Sequence, residues 1–457
     1  MEETSMETDT LLESESNGHT NDNMEDVADV NTEDRSCYQY PTLFMSKTLL
    51  ELCNSSWTRA PKAKEDVQPY LRGCKWSPDG TCCLSVVNND GVHITELPRD
   101  LYTESASPDR NIDILESVVH VKEAGLIYDF CWFPGMNSHF PETCCWLTTR
   151  QNAPIQMWDA FDGSLRCSYR GFNAADEMEP ALCVTFTPEA NSIIGGYKKF
   201  LRTFDVDRPG RDFSEHKIGS PAASLAVNSN LLAVGSWNTT IALYNVNDMG
   251  TYKSIGKMHG HTGGITHMKF TPDGLKLVSG ARKDHRLLVW DIRYYRRPLN
   301  ILSRVVDTNQ RVYFDISPCG KYLVSGNTDG TLKVWDVDQV DWKSELDTTD
   351  IHCDKSTKFP LHNDCCNSVS IHPLRPILAT GSGQYHCRDP IQLLDDENQT
   401  DGISLNGDIN SSHMSDTSAI KDFNVSENKE SSRIEEDISS SENCLVFWWI
   451  GDVPGID

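Results

Sequence analysis

An all-β fold, built as a ring of small antiparallel sheets, is what this sequence predicts, and three observations predict it. Four tight turns carry a proline in the same setting: Ser77-Pro78-Asp79-Gly80, Thr187-Pro188-Glu189-Ala190, Thr271-Pro272-Asp273-Gly274 and Ser317-Pro318-Cys319-Gly320. Sixteen to eighteen residues after each proline a strand ends, on Thr95-Glu96, Phe204-Asp205, Trp290-Asp291 and Trp335-Asp336; Met157-Trp158-Asp159 and Leu243-Tyr244-Asn245 end alike. From 158 to 335 these endings recur at intervals of 46, 40, 46 and 45 residues. Short alternating strands at this period make four-stranded propeller blades, units that bury their faces by stacking on their neighbours.

Along the chain, residues 1–36 come first, with 12 acidic side chains against the single cation Arg35. Rich in Ser, Asn, Asp and Glu and poor in aromatics, this tail cannot bury enough apolar area to offset chain entropy and is expected to be disordered. Its start, "MEETSMETDT", has no apolar run, and nowhere does the chain approach the ~18 apolar residues of a membrane span, so no membrane partner is expected. Residues 37–67 are expected to close the ring, through "PTLFMSKTLLELC" (41–53).

Residues 68–383 are expected to hold the WD40 blades, up to the first part of the seventh. Blade 5 shows the pattern most fully: Gly260-His261 precedes its first strand, Ser279 lies on the second, Asp284 in the next turn, and Trp290 ends the third. In such blades these side chains hydrogen-bond to one another, so His261, Ser279, Asp284 and Trp290 are expected to be structural. Blade 6 keeps Ser325, Asp329 and Trp335 without the Gly-His pair. The seventh blade begins at "NSVSIHPLRPILATGSG" (367–383) and resumes at "CLVFWWI" in 444–457. Pro373 to Trp448 spans 75 residues, and the excess is a Ser-rich acidic insertion, 384–443, with 14 acidic and 4 basic residues. A surface loop tolerates it because closure entropy grows only logarithmically with length. The prediction is therefore a seven-bladed WD40 β-propeller with a disordered acidic N-terminal tail and a disordered acidic insertion in the last blade.

Tail and insertion carry most of the net charge of −26, so the acidity says little about what the ring binds. The 16 cysteines form no C-x-x-C pair; they read as buried, reduced thiols rather than a zinc framework, and no metal or cofactor is expected. There is no Gly-rich phosphate loop with a lysine, no H-E-x-x-H and no nucleophile elbow, so no enzyme is expected.

The turns between second and third strands open on one face of the ring, the top. They read "NNDG" (88–91), "TRQNAP" (149–154), "GYKKF" (196–200), "SWNTT" (236–240), "ARKDHR" (281–286) and "NTDG" (327–330). Blade 3 offers Tyr197, Lys198 and Lys199; blade 4 offers Trp237; blade 5 offers Arg282, Lys283 and Arg286. Arg304 and Arg311 enter the same face from "RVVDTNQR", and Arg150 lies on its far side. Cations interleaved with aromatics suit unpaired RNA, where Lys and Arg neutralise phosphates and bases stack on rings. A second basic set, Arg208, Arg211, Arg293, Arg296 and Arg297, follows third strands and is expected on the opposite face. An adaptor that binds peptides on the top face, without RNA, is the alternative.

Several stretches closely resemble the telomerase Cajal body protein family: "LRGCKWSPDG" (71–80), "IYDFCWF" (127–133), "NAPIQMWDAFDGSLR" (152–166), "RPGRD" (208–212), "GGITHMKFTPDG" (263–274), "SGARKDHRLLVWDIR" (279–293) and "TNQRVYFDISPCGKYLVSG" (308–326). The resemblance covers roughly 68–383 and "LVFWW", with the blade spacing kept; the acidic tail and insertion do not take part. It implies an RNA-binding scaffold that recognises the CAB box of H/ACA small Cajal body RNAs and telomerase RNA. It further implies association with telomerase and H/ACA RNP proteins and Cajal body scaffold proteins, folding by the cytosolic chaperonin, location in the nucleus and Cajal body after a cytosolic folding phase, and a role in telomere maintenance.

Overall fold

The computed structural model describes residues 43–44, 46–57, 69–102, 106–107, 109–123, 125–246, 251–337, 352–353, 355–386 and 442–452. The expected tail 1–36, residues 37–42, 45 and 58–67 of the closing segment and most of the insertion lie outside them. Seven sheets follow one another along the chain, antiparallel but for the two-residue edge strands Asp113–Ile114 and His352–Cys353, and among the described residues no α-helix occurs. Blade 1 contains Leu71–Trp76, Cys82–Val87, Gly91–Glu96 and Val119–Val121; blade 2 contains Ile127–Trp132, Cys145–Arg150, Ile155–Asp159 and Leu165–Tyr169. Blades 3 to 5 open with Cys183–Phe186, Ala222–Asn228 and Ile265–Phe270, and blade 6 with Phe314–Ile316. The arrangement is a β-propeller.

The proline turns form for a local reason. In each, the first hydroxyl accepts the N–H five residues on (Ser77 from Cys82, 3.2 Å; Thr271 from Lys276, 3.1 Å; Ser317 from Tyr322, 2.9 Å), joining the first strand to the second. Gly80, Gly274 and Gly320 sit at φ near +70°, which a side chain would strain. Each strand then alternates its faces, so apolar residues pack between blades: Leu277, Leu288 and Trp290 against blade 4, and Val278, Val289 and Leu302 against blade 6.

The seventh blade joins both ends of the described chain. Cys366–Ile371, Ile377–Ser382 and Cys444–Trp449 form its first three strands, and Leu50–Ser56 pairs antiparallel with Cys444–Trp449 as the fourth. Blade 7 grips blade 1 by Ser368 Oγ and Ser370 Oγ, which accept the backbone N–H of Cys74 and Trp76 at 2.6 and 3.1 Å. One addition was not legible beforehand. Asp113–Ile114, from the long loop of blade 1, runs parallel to Leu50–Ser56 and covers its outer edge, with Arg110 bonded to Asp100 (2.7 Å) and Asp113 (2.6 Å) to hold the loop. An uncovered edge would be open to pairing with another chain.

Candidate nucleic-acid interface

Register fixes which groups share the top face. First strands begin opposite the ends of second strands: Leu71 faces Val87, Ile127 faces Arg150, Ile265 faces Ala281 and Cys366 faces Ser382. The turns after those second strands therefore lie level with the first residues of the inner strands.

Blades 4 and 5 meet closely here. A Cβ on Gly263 would stand 2.0 Å from Arg282 O, and one on Gly264 would stand 3.1 Å from Trp237 O, so "GG" lets both turns approach. Arg282 N–H donates to Gly264 O at 3.0 Å. In the blade 5 turn Lys283 takes a left-handed φ of 47°. The result is an exposed Arg282 and Lys283 beside Trp237, 51% exposed, with the Arg282 guanidinium 5.8 Å from the indole ring. Lys198 and Lys199 of blade 3 are also exposed.

The other residues expected on this face have partners of their own. Tyr197 is 1% exposed and packs its ring 4.3 Å under the Arg202 guanidinium, so it is an inter-strand packing residue and offers no stacking face. Arg304 is 3% exposed: it donates to Val312 O (3.1 Å), Ala281 O (3.4 Å) and Ser325 Oγ (3.5 Å), stapling blade 5 to blade 6. Burial draws its pKa down to about 10. Arg286 is held by Asp284 (2.8 Å) and Gly260 O (3.0 Å), and Arg150 by Gln156 Oε1 (3.2 Å), with Glu123 4.0 Å away. Arg311 reaches across the axis, pairing with Asp129 of blade 2 at 3.0 Å and donating to Ala223 O of blade 4 at 2.8 Å.

The blade 5 network is complete. His261 Nδ1 meets Asp284 at 2.9 Å, its Nε2 meets Ser279 Oγ at 2.8 Å, and Trp290 Nε1 donates to that same hydroxyl at 2.8 Å. Burial lowers the His261 pKa, against the opposing pull of Asp284. Sequence reading missed a second network, in blade 7: His362 meets Thr380 Oγ1 at 2.7 Å and Glu442 at 3.2 Å, and Trp448 Nε1 donates to Thr380 Oγ1 at 2.7 Å. Its signal was the 18-residue step from His362 to Thr380, equal to that from His261 to Ser279. The insertion hid the other half. Cys444 stands where blade 5 has Arg286, and its thiol donates to Glu442 at 2.9 Å. Thirteen cysteines, among them Cys53, Cys183 and Cys444, are free thiols, and of these thirteen Cys319 is the exposed one.

On the opposite face Arg293 pairs with Asp291 at 2.7 Å, Arg208 lies 3.7 Å from Asp205, and Arg211 pairs with Asp176. Those three cations are paired locally, whereas Arg296 and Arg297 of the same expected set are exposed and form no ion pair among the described residues. On the top face Lys198, Lys199, Arg282 and Lys283 form no ion pair among the described residues.

Fold and rim together define a WD40 β-propeller that presents cations and one exposed indole on a single face. The WD domain, G-beta repeat model matches residues 252–291 and 308–336. The telomerase Cajal body protein 1 homolog of Drosophila melanogaster is 38% identical over 467 residues, 98% of this chain and 79% of that protein. The telomerase Cajal body protein 1 of Mus musculus is 38% identical over 74% of this chain, and that of Homo sapiens 38% over 77%. The matched region spans 62% and 63% of those two mammalian proteins. The chain belongs to the telomerase Cajal body protein 1 family.

Proposed function

We propose that this propeller is a non-catalytic RNA-binding scaffold. Its top face takes the unpaired loop of an H/ACA-type small Cajal body RNA, at the CAB box, and its work is to direct such RNPs, telomerase RNA among them, to the Cajal body. The observation that carries the reading is the rim of Lys198, Lys199, Trp237, Arg282 and Lys283: four cations without acidic partners among the described residues and an exposed ring, with the Arg282 guanidinium 5.8 Å from that ring, in a chain of net charge −26. Such a rim neutralises phosphates and offers a stacking platform. The family name supports the choice of RNA.

The test is binding of a fluorescent H/ACA hairpin RNA across a salt series, against a hairpin with a scrambled loop. Tight, loop-dependent binding that weakens steeply with salt is expected. Equal affinity for both hairpins, or none, together with binding of an acidic peptide, would replace the RNA reading by the peptide adaptor.

A further inference from the structure

At the centre of the top face a second feature lies apart from the rim. The first residues of the inner strands of blades 1, 2 and 7, with the segment leading into blade 6, surround a depression open to solvent. Its lining includes Tyr70, Arg72, Tyr128, Arg311, Tyr313 and Asn367.

The two cations differ. Arg311 is neutralised by Asp129. Arg72 donates to Ile127 O at 2.8 Å and pairs with no carboxylate among the described residues. Its pKa is lowered, first by burial and also by the charge of Arg311. A guanidinium withdrawn from water beside a second one, with no counter-charge, favours an anion. Asn367 supplies an independent observation. It is 1% exposed, its Nδ2 donates to Leu71 O and Gly383 O at 2.5 Å each, and its Oδ1 has no hydrogen-bond partner. Those two donations fix the amide's orientation, so a lone acceptor lies in the wall. Half-buried Tyr70 and Tyr128 complete a lining with aromatic, acceptor and cationic groups.

We propose that this axial pocket receives one unstacked nucleotide, its phosphate on Arg72 and its base between tyrosine rings, with a base N–H directed at Asn367. The inference rests on the RNA reading and deepens it: the rim holds the loop, and the pocket selects one nucleotide of it.

The experiment uses the full chain and H/ACA hairpin RNAs carrying 2-aminopurine at one loop position at a time. Wild-type protein is expected to change the fluorescence strongly at one position, and Tyr128→Ala to abolish that change. Arg72→Gln should weaken binding about tenfold and flatten the plot of log K against log salt by about 0.7, as one lost phosphate contact does, with partial recovery in Arg72→Lys. Melting curves report whether each variant folds; if Arg72→Gln does not, the fluorescence scan with wild type and Tyr128→Ala decides. If the hairpin binds and responds to Trp237→Ala, yet no loop position reports and Tyr128→Ala is silent, the pocket inference is overturned while the RNA reading stands. If no hairpin binds, the RNA reading fails first. An oligo-glutamate peptide that binds wild type but not Arg72→Gln, with RNA affinity unchanged, would overturn the nucleotide in favour of an acidic peptide.

Discussion

Trp237 and Arg282 stand 5.8 Å apart, yet an RNA would feel them through different physics. Stacking on an indole releases no counterions, whereas a guanidinium on a phosphate does. Trp237→Ala should therefore cost about 1–3 kcal/mol of RNA affinity with little change in salt dependence. Arg282→Ala and Lys283→Ala should each flatten the plot of log K against log salt by about 0.7. Arg293→Ala, on the opposite face, serves as the control of equal charge; if it flattens the plot while Arg282→Ala does not, the face assignment is inverted. His261 belongs to another class. It lies between Asp284 and Ser279, so His261→Ala leaves a buried carboxylate and a buried hydroxyl short of partners. About 2–4 kcal/mol of stability should be lost, seen as a lower urea midpoint, with RNA affinity of the folded fraction unchanged.

The elements were largely legible because their signals are local. A proline turn, a two-residue alternation and a Trp-Asp ending each depend on a few neighbours, so blade order follows from spacing alone. Side-chain destination was less legible. Tyr197 and Trp237 occupy the same offset in adjacent turns, but the ring of the first is buried under the Arg202 guanidinium, and no sequence period reports that. Arg304 looked like any loop cation; what buries it is the hole over Gly280, where a Cβ would stand 2.6 Å from its Nη2. Arg72 and Asp129 sat in plain view, in "LRGCKW" and "IYDFCWF", and the charge inside an apolar inner strand was the unused signal. Two predictions belong at this scale. Removing residues 1–60 takes away Leu50–Ser56 and leaves Cys444–Trp449 as an unpaired edge, so that product should not melt cooperatively, while removal of 1–36 should leave the melting temperature unchanged. Replacing 387–441 by a short Gly-Ser linker should leave it unchanged too. The flanks of that segment already sit on adjacent residues, with His386 on Asp364 (2.7 Å) and Glu442 on His362 and Asn363 (3.2 and 2.6 Å). A loss of cooperative melting in the linker variant would show that the insertion contributes to the fold.

The whole ring shares one electrostatic dependence, because histidines on separate blades are held in the neutral form. His372, in blade 7, directs Nε2 at Gly80 O in blade 1 at 2.8 Å, and its Nδ1 accepts the N–H groups of Leu374 and Arg375 at 3.0 and 2.9 Å. Burial lowers its pKa to about 4. His261 and His267 are shifted the same way, burial again the first cause. A folded-state pKa below the unfolded value means that the unfolded chain binds more protons once the pH drops through about 6.5, so acid favours unfolding. Asp284 and Glu442 add to this, the latter lowered to about 2: burial opposes their ionisation, but bonds to His261 and His362 outweigh it. Their contribution is present above the ordinary carboxylate range and is lost as the pH falls through it. Stability should thus be nearly flat from pH 8 to 7 and fall from 6.5 downward, with His372 alone accounting for about 2 kcal/mol at pH 5. Urea unfolding at pH 7 and pH 5 measures it. In His372→Asn the drop between the two should shrink by about that amount, since Asn has no proton to take up in the window. An equal drop in wild type and His372→Asn would mean that the joint between blades 7 and 1 does not hold a neutral imidazole.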